Sequence, residues 1–312
     1  MPPVARVAVI QACPVLMDRE ATIAKVAALT ADAAVQGARV ILFPEAFVPA
    51  YPRGLGFGTV VGSRTEAGRR DWARYWRNAV DVPSPATDAL GEAARAAQAH
   101  LVVGVIERDL GTLYCTILYF GPDGRLLGKH RKLKPTAAER LIWGEGDGST
   151  LTVVDTPYGR LGGLICWENY MPLARTAMYT QGVDLYVAPT ADARDSWQAT
   201  IRHIALEGRC FVLACNQFVT KDAYPKDLAC YDDLAAAPDP ICAGGSAIVG
   251  PLGDYVVPPV YGREEILLAD LDMDRVVESR FDFDPVGSYA RPDVLRLVVN
   301  TADQRSGPRS PS

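Results

Sequence analysis

The chain has 312 residues, 49% hydrophobic and 22% charged, which supplies a substantial core and argues against a disordered, collagenous or membrane class. Lys plus Arg number 32 against 37 Asp plus Glu, a net charge of −5, which excludes a broad electrostatic footprint for nucleic acid or an anionic membrane. No run of about 18 apolar residues occurs, so no transmembrane helix is expected. The opening MPPVARVAVIQ lacks the features of a signal peptide, and a cytoplasmic chain is expected.

In chain order, the β-branched residues 4–11 predict a strand. Asp18 is placed to cap a helix running to about Gln36, with Gly37 as its stop. Residues 39–43 (RVILF) read as a short, nearly all-apolar strand. A helix near 87–100 carries Leu90, Ala93, Ala94 and Ala97 on one side, and a strand follows at 101–107. Strands at 113–120 and 125–129 flank Gly121-Pro122-Asp123-Gly124, a hairpin signal.

The second half repeats this outline. Strands are expected at 151–154 and 160–165, a helix near 172–181 ending at Gly182, a strand at 183–188, a helix at 196–208 and a strand at 210–216. Further β content is expected at 245–253, 255–258 and 265–272. Apolar strands alternating with helices predict an α/β sheet covered by helices, and the hairpins make it mixed. No flexible linker interrupts the pattern, so residues 1–301 are expected to form a single domain. Residues 302–312, rich in Ser, Pro, Arg and Gly, read as a disordered tail.

The seven cysteines include no C-x-x-C pair and the three histidines no H-x-x-x-H, so reduced thiols are expected and a zinc site is not. No GxGxxG or P-loop is present, and no cofactor is implied. Cys166 ends an apolar strand just before a helix that has Pro172 near its first turn. A thiol there can feel the positive end of the helix dipole, which favours the reactive thiolate. A buried packing cysteine fits the same context and is the commoner case. Glu45 follows an apolar strand between Phe43 and Phe47, where a raised pKa and acid/base work or an ordinary solvated carboxylate are both open. The run Lys129-His130-Arg131-Lys132-Leu133-Lys134 reads by itself as a solvated basic edge.

Taken together and in this order, these segments carry a resemblance. Phe43-Pro44-Glu45-Ala46, His130-Arg131-Lys132-Leu133 and Gly163-Leu164-Ile165-Cys166-Trp167-Glu168-Asn169 resemble the glutamate, lysine and cysteine motifs of the carbon–nitrogen hydrolase (nitrilase) superfamily. Ala50-Tyr51-Pro52-Arg53-Gly54, Lys134-Pro135-Thr136 with Glu139-Arg140-Leu141-Ile142-Trp143-Gly144, Cys166 to Leu173, Ala188-Pro189-Thr190-Ala191-Asp192 and His203-Ile204-Ala205-Leu206-Glu207-Gly208 are similar to the nitrilase branch proper. The resemblance runs to about Asn300. Trp76 and Ser288 depart from it, standing where related chains often carry histidine.

The resemblance implies a four-layer α-β-β-α sandwich and hydrolysis of an organic nitrile to a carboxylic acid and ammonia. It implies Cys166 as nucleophile, Glu45 as general base, Lys132 as the cation facing developing charge, and Glu139 as a second carboxylate near the lysine. Tyr51, Trp167, Thr190 and Trp197 are candidate pocket residues. Glu168 reads as structural, with backbone or an arginine as partner, and His203 as a packed core histidine. The other six cysteines read as packing. The expected partners are a small nitrile, water and further copies of the chain, in dimers or higher homo-oligomers with a spiral among the forms. An amidase or carbamoylase, or a cyanide-hydrolysing relative, would use the same three residues. A Cys–His acyl hydrolase would need one of the three histidines at the thiol.

Overall fold

The structure is a computed structural model that describes residues 4–304. The elements in chain order are β1 (Val4–Gln11), α1 (Arg19–Val35), β2 (Val40–Leu42), the small hairpin β3 (Thr59–Val60) and β4 (Ser63–Arg64), α2 (Glu66–Arg77), β5 (Val80–Asp81), α3 (Pro85–Ala97), β6 (His100–Asp109), β7 (Thr112–Phe120) and β8 (Leu126–Arg131). There follow β9 (Val153–Thr156), β10 (Gly159–Gly163), α4 (Pro172–Thr180), β11 (Leu185–Pro189), α5 (Asp195–Gly208), β12 (Phe211–Cys215), β13 (Phe218–Val219), β14 (Cys242–Val249), β15 (Tyr255–Tyr261), β16 (Glu265–Asp272) and α6 (Asp274–Ser279).

Two mixed sheets result. One runs β16-β1-β2-β6-β7-β8 with β5 on β6, and the other runs β13-β14-β12-β11-β10-β9 with β15 on β14. Side chains alternate across each strand, which sorts the core into layers. Val7 and Val9 of β1 and Val102 and Ile106 of β6 meet Leu185, Val187, Phe211 and Leu213 between the sheets. Their neighbours Ala8, Ile10, Leu101 and Val103 face the other way, against Val26 and Ala33 of α1 and Leu90 and Ala94 of α3. On the far side Tyr186, Ala188, Val212 and Ala214 pack on Met178 of α4 and Ile201, Ile204 and Ala205 of α5. The result is the α-β-β-α sandwich expected from the resemblance.

Local sequence explains most boundaries. Asp18 caps α1 by accepting the Ala21 N–H at 2.9 Å, and Gly37 follows at φ +90°. The helix α2 is absent from the sequence reading because its inward stripe is short, Trp72, Tyr75 and Trp76, and is set among four arginines. Its sequence EAGRRDWARYWR buries only Gly68, Asp71 and Tyr75. The basic run at 129–134 is a correction. His130, Arg131 and Lys132 are buried, and Arg131 and Lys129 both bond the buried Glu107. Carboxylates across the ladder, invisible to composition, draw these cations inward.

His203 is a second correction, since it lies exposed on α5, 3.7 Å from Glu207. Helical periodicity put it on the outer face, not the core. Of the expected tail, residues 305–312 lie outside the described residues. Gln304 is placed, its N–H donating to Asp147 Oδ2 at 2.8 Å.

Candidate active site

Glu45 lies just past β2, where Phe43 N–H donates to Val102 O at 2.8 Å and Gln217 Nε2 holds the Glu45 carbonyl at 2.7 Å. This segment can lie on β6 because residue 104 is glycine. A Cβ there would come within 2.1 Å of the Pro44 carbonyl oxygen and 2.9 Å of Glu45 Cα. Lys132 leaves the end of β8 with its N–H on the Cys115 carbonyl at 2.8 Å. Its buried ammonium bridges two carboxylates, Glu45 Oε1 at 2.7 Å and Glu139 Oε2 at 2.8 Å. Glu139 sits on a short 3-10 turn, Ala137–Leu141. It also accepts the Thr136 N–H at 2.6 Å and the Tyr51 hydroxyl at 2.6 Å.

Cys166 opens the 3-10 turn Cys166–Tyr170, with Leu164 and Ile165 between it and β10, at φ +53°. That left-handed backbone is uncommon for a residue with a side chain and needs support from its surroundings. Asn169 supplies it, with Nδ2 donating to the Leu164 and Cys166 carbonyls, both at 2.9 Å, and Oδ1 accepting from the Tyr186 hydroxyl at 2.7 Å. The Thr190 hydroxyl accepts the Asp192 N–H at 3.0 Å, which leaves its proton for Cys166 Sγ at 3.1 Å. Glu168, on the same turn, is buried below. It accepts from His130 Nε2 at 2.9 Å, Leu133 N–H at 2.6 Å and Ile165 N–H at 2.8 Å. Its partner is therefore His130 with backbone amides, where an arginine had been one expectation.

The electrostatics follow from burial. Desolvation raises the Glu45 carboxyl above its ordinary range, with Lys132 opposing and Glu139 adding to the rise. Burial alone would lower the Lys132 ammonium. Glu45, Cys166, Cys115 and Glu139 outweigh that and hold it well above normal, fully charged. Burial, then Glu45, pushes the Cys166 thiol up to about 12 against the pull of Lys132, Thr190 and the Ala191 N–H. Burial thus favours the thiol over the thiolate. This corrects the thiolate expected from a helix dipole, because α4 starts only at Pro172, beyond the short turn.

The remaining Glu45 oxygen, Oε2, is buried and has no hydrogen-bond partner. A raised carboxylate with one free oxygen, beside a neutral thiol, is an arrangement for proton transfer.

The structure brings Glu45, Lys132, Glu139, Cys166, Tyr51 and Thr190 into one connected cluster. Tyr51 also lines a narrow cleft with Arg53, Gln217, Tyr224 and Cys242. Thr190 touches the sulfur, so its hydroxyl serves the thiol and is not left for a ligand. Trp167 is exposed, its Nε1 donating to Asp192 Oδ2 at 2.8 Å. Trp197 lies apart, in the core between the second sheet and its helices, with Tyr170 against its edge.

No histidine is a partner of the thiol. Both His130 ring nitrogens are engaged, by Thr150 O and Glu168. Sequence reasoning missed Gln217, Asn169 and the thiol of Cys115, which approaches Glu45 Oε1 at 3.6 Å. A glycine inside the strand LVVGVIE was the one local signal that backbone passes close by.

Known proteins resemble the chain over most of its length. The carbon–nitrogen hydrolase family matches residues 6–281. An aliphatic nitrilase of Sinorhizobium fredii is 56% identical over 296 residues, covering 95% of each chain. A bifunctional nitrilase/nitrile hydratase of Lupinus angustifolius is 50% identical over 301 residues, covering 95% of this chain and 86% of that one. Among solved structures, a Saccharomyces cerevisiae member of branch 10 of the nitrilase superfamily superposes with a TM-score of 0.70 at 21% identity, covering 92% of this chain and 96% of that one. An amidase from Nesterenkonia gives 0.64 at 20% identity, with 89% and 94% covered. The last two speak for the fold alone. The chain belongs to the carbon–nitrogen hydrolase family, whose members hydrolyse carbon–nitrogen bonds.

Proposed function

We propose that this chain is a nitrilase, hydrolysing a small organic nitrile to the carboxylic acid and ammonia. The observation that carries the reading is the unpartnered Glu45 Oε2 in one buried cluster with the Cys166 thiol group, with Lys132 Nζ on the other oxygen. The names of the relatives, 50–56% identical, supply the substrate class.

In this mechanism Cys166 Sγ attacks the nitrile carbon as its proton passes to Glu45, and the proton then goes to the nitrile nitrogen to give a thioimidate. Lys132, fixed and desolvated, faces the charge that develops on that nitrogen. Glu45 next takes a proton from water as the water oxygen adds to the thioimidate carbon, and returns that proton to the nitrogen, to which the new hydroxyl proton also passes as the adduct collapses. The tetrahedral adduct expels ammonia, leaving a thioester, and a second water releases the acid and restores the thiol. Glu139, bonded to Lys132 and Tyr51, holds the ammonium in place and offers a path for protons. Expulsion of the thiol in place of ammonia would give the amide. Relatives named as bifunctional nitrilase/nitrile hydratase favour a measurable amide fraction.

Residues 1–301 are read as one domain, supported by the core shared between the two sheets. Self-association fits the exposed Phe281, Val294, Leu295 and Val298. A cytoplasmic setting fits seven unpaired cysteines. Among the described residues, no helix is long and apolar enough to cross a membrane. Matched aliphatic nitriles and amides test the proposal. Ammonia and acid from the nitriles, lost in Cys166→Ala, support it, and turnover of amides only overturns it.

A further inference from the structure

We infer that Cys115 is a positioning residue for Glu45, its thiol occupying Oε1 so that Oε2 remains the oxygen that takes the Cys166 proton. The inference rests on the mechanism proposed above for this site. A carboxylate has two oxygens with two lone-pair directions each, and catalysis needs one of them vacant and correctly aimed. Lys132 Nζ donates to Oε1 at 2.7 Å and the Cys115 Sγ–H faces the same atom at 3.6 Å, a length suited to the larger sulfur. Oε1 thereby has a donor for each lone pair while Oε2 has none.

Cys115 acts on both members of the ion pair. Its carbonyl receives the Lys132 N–H at 2.8 Å, one step beyond the Thr116–Arg131 pairing of β7 and β8. One residue thus sets the height of the lysine backbone and touches the carboxylate that the lysine bridges.

The thiol suits this task better than a stronger donor. An S–H donates weakly, so it orients Oε1 without draining the basicity the carboxylate needs. It also stays protonated. Burial, then Glu45, puts its pKa well above the ordinary thiol range, with Lys132 opposing and Glu139 and Cys166 adding to the rise. Tyr75, its hydroxyl on Ala50 O, is the other titratable group coupled to Cys115, and Tyr51 and Cys242 are coupled to Glu45. Only 1% exposed, Cys115 lacks the access that a nucleophile requires.

The test is the pH dependence of Cys166 alkylation by iodoacetamide, quantified at the Cys166 peptide by mass spectrometry, alongside kcat/KM on a nitrile. Variants are Cys115→Ala, Cys115→Ser and, as a buried cysteine outside the cluster, Cys210→Ala. Loss of the donor should raise the base. In Cys115→Ala the acid limb of both profiles should move up by about half to one pH unit, with kcat down several-fold and KM little changed. Cys115→Ser, the stronger donor, should instead move the limb below that of the wild type, and Cys210→Ala should leave it in place.

Acid limbs that superimpose in all four proteins would overturn the inference and return Cys115 to packing, even if thermal stability falls. Should Cys115→Ala not fold, Cys115→Ser alone decides: its stronger donor should shift the limb downward, and an unmoved limb contradicts the inference. Alkylation needs no substrate, so failure of the nitrilase reading would show only in turnover.

Discussion

Two buried carboxylates stand near Cys166, Glu168 through the chain and Glu45 through the fold, and they differ in what is left over. Glu168, two residues after Cys166, spends both oxygens, on His130 Nε2 and on the Leu133 and Ile165 N–H groups. Glu45 places Lys132 and Cys115 on one oxygen and leaves the other without a partner. Both are paired with a cation and both are shut from water, so burial and charge do not separate structure from chemistry here. Residual capacity does. A saturated pair fixes a turn, whereas a pair with a spare basic oxygen can move a proton.

The comparison breaks most sharply at the sulfur. Cys166→Ala should lower kcat on the nitrile by about 10⁴-fold or more while the circular dichroism spectrum holds. Glu45→Gln removes the spare basic oxygen and should cost about 10²–10⁴-fold in kcat. Glu168→Gln should instead act mainly on stability, lowering the thermal midpoint, because it leaves the buried His130 without its counter-charge. If Glu168→Gln proved the more damaging to kcat in correctly folded protein, the distinction drawn here would fail. Lys132→Met falls between. It should destabilise by about 3–5 kcal/mol by stranding Glu45 and Glu139, and the surviving folded fraction should turn over slowly.

pH separates the two carboxylates further. Glu45 must be ionised to accept the thiol proton, and its pKa is raised by burial. kcat/KM should therefore fall on the acid side at a pH above the ordinary carboxylate range, with no loss from Lys132 or Cys166 near neutrality. For His130, burial lowers the pKa, but Glu168 outweighs it and the net shift is upward from 6.5. A folded-state pKa raised above the unfolded one adds stability that is complete below the unfolded value and lost as pH rises through the folded one. The thermal midpoint should thus decline as pH climbs past about 6.5, and Glu168→Gln should flatten that decline. The smallest effect should come from Thr190→Val, which removes one donor to the sulfur and should slow turnover about tenfold or less.

The alternating sheets were legible because their strands are buried on both faces and read as apolar runs, as β1 at Val4–Gln11 does. The helix α2 was not, because only Trp72, Tyr75 and Trp76 mark its inner face and four arginines dominate its composition. At the site, Glu45, Lys132 and Cys166 were recognisable through the motifs around them, not through their own chemistry. Local context gave Lys132 a solvated edge, which burial reversed, and left Cys166 open between a packing cysteine and a dipole-favoured thiolate. Cys115 and Gln217 reach Glu45 across 70 and 172 residues of chain, and no short window of sequence carries such a contact.

The central claim is that Cys166, relieved of its proton by Glu45, forms the covalent bond to substrate. Quenching the enzyme with acid during turnover of a small aliphatic nitrile, then mapping adducts by peptide mass, tests it directly. The account predicts an acyl or imidate mass on the Cys166 peptide of the wild type, absent in Cys166→Ala and slow to form in Glu45→Gln. An adduct on any other cysteine, or full turnover with none on Cys166, would contradict it.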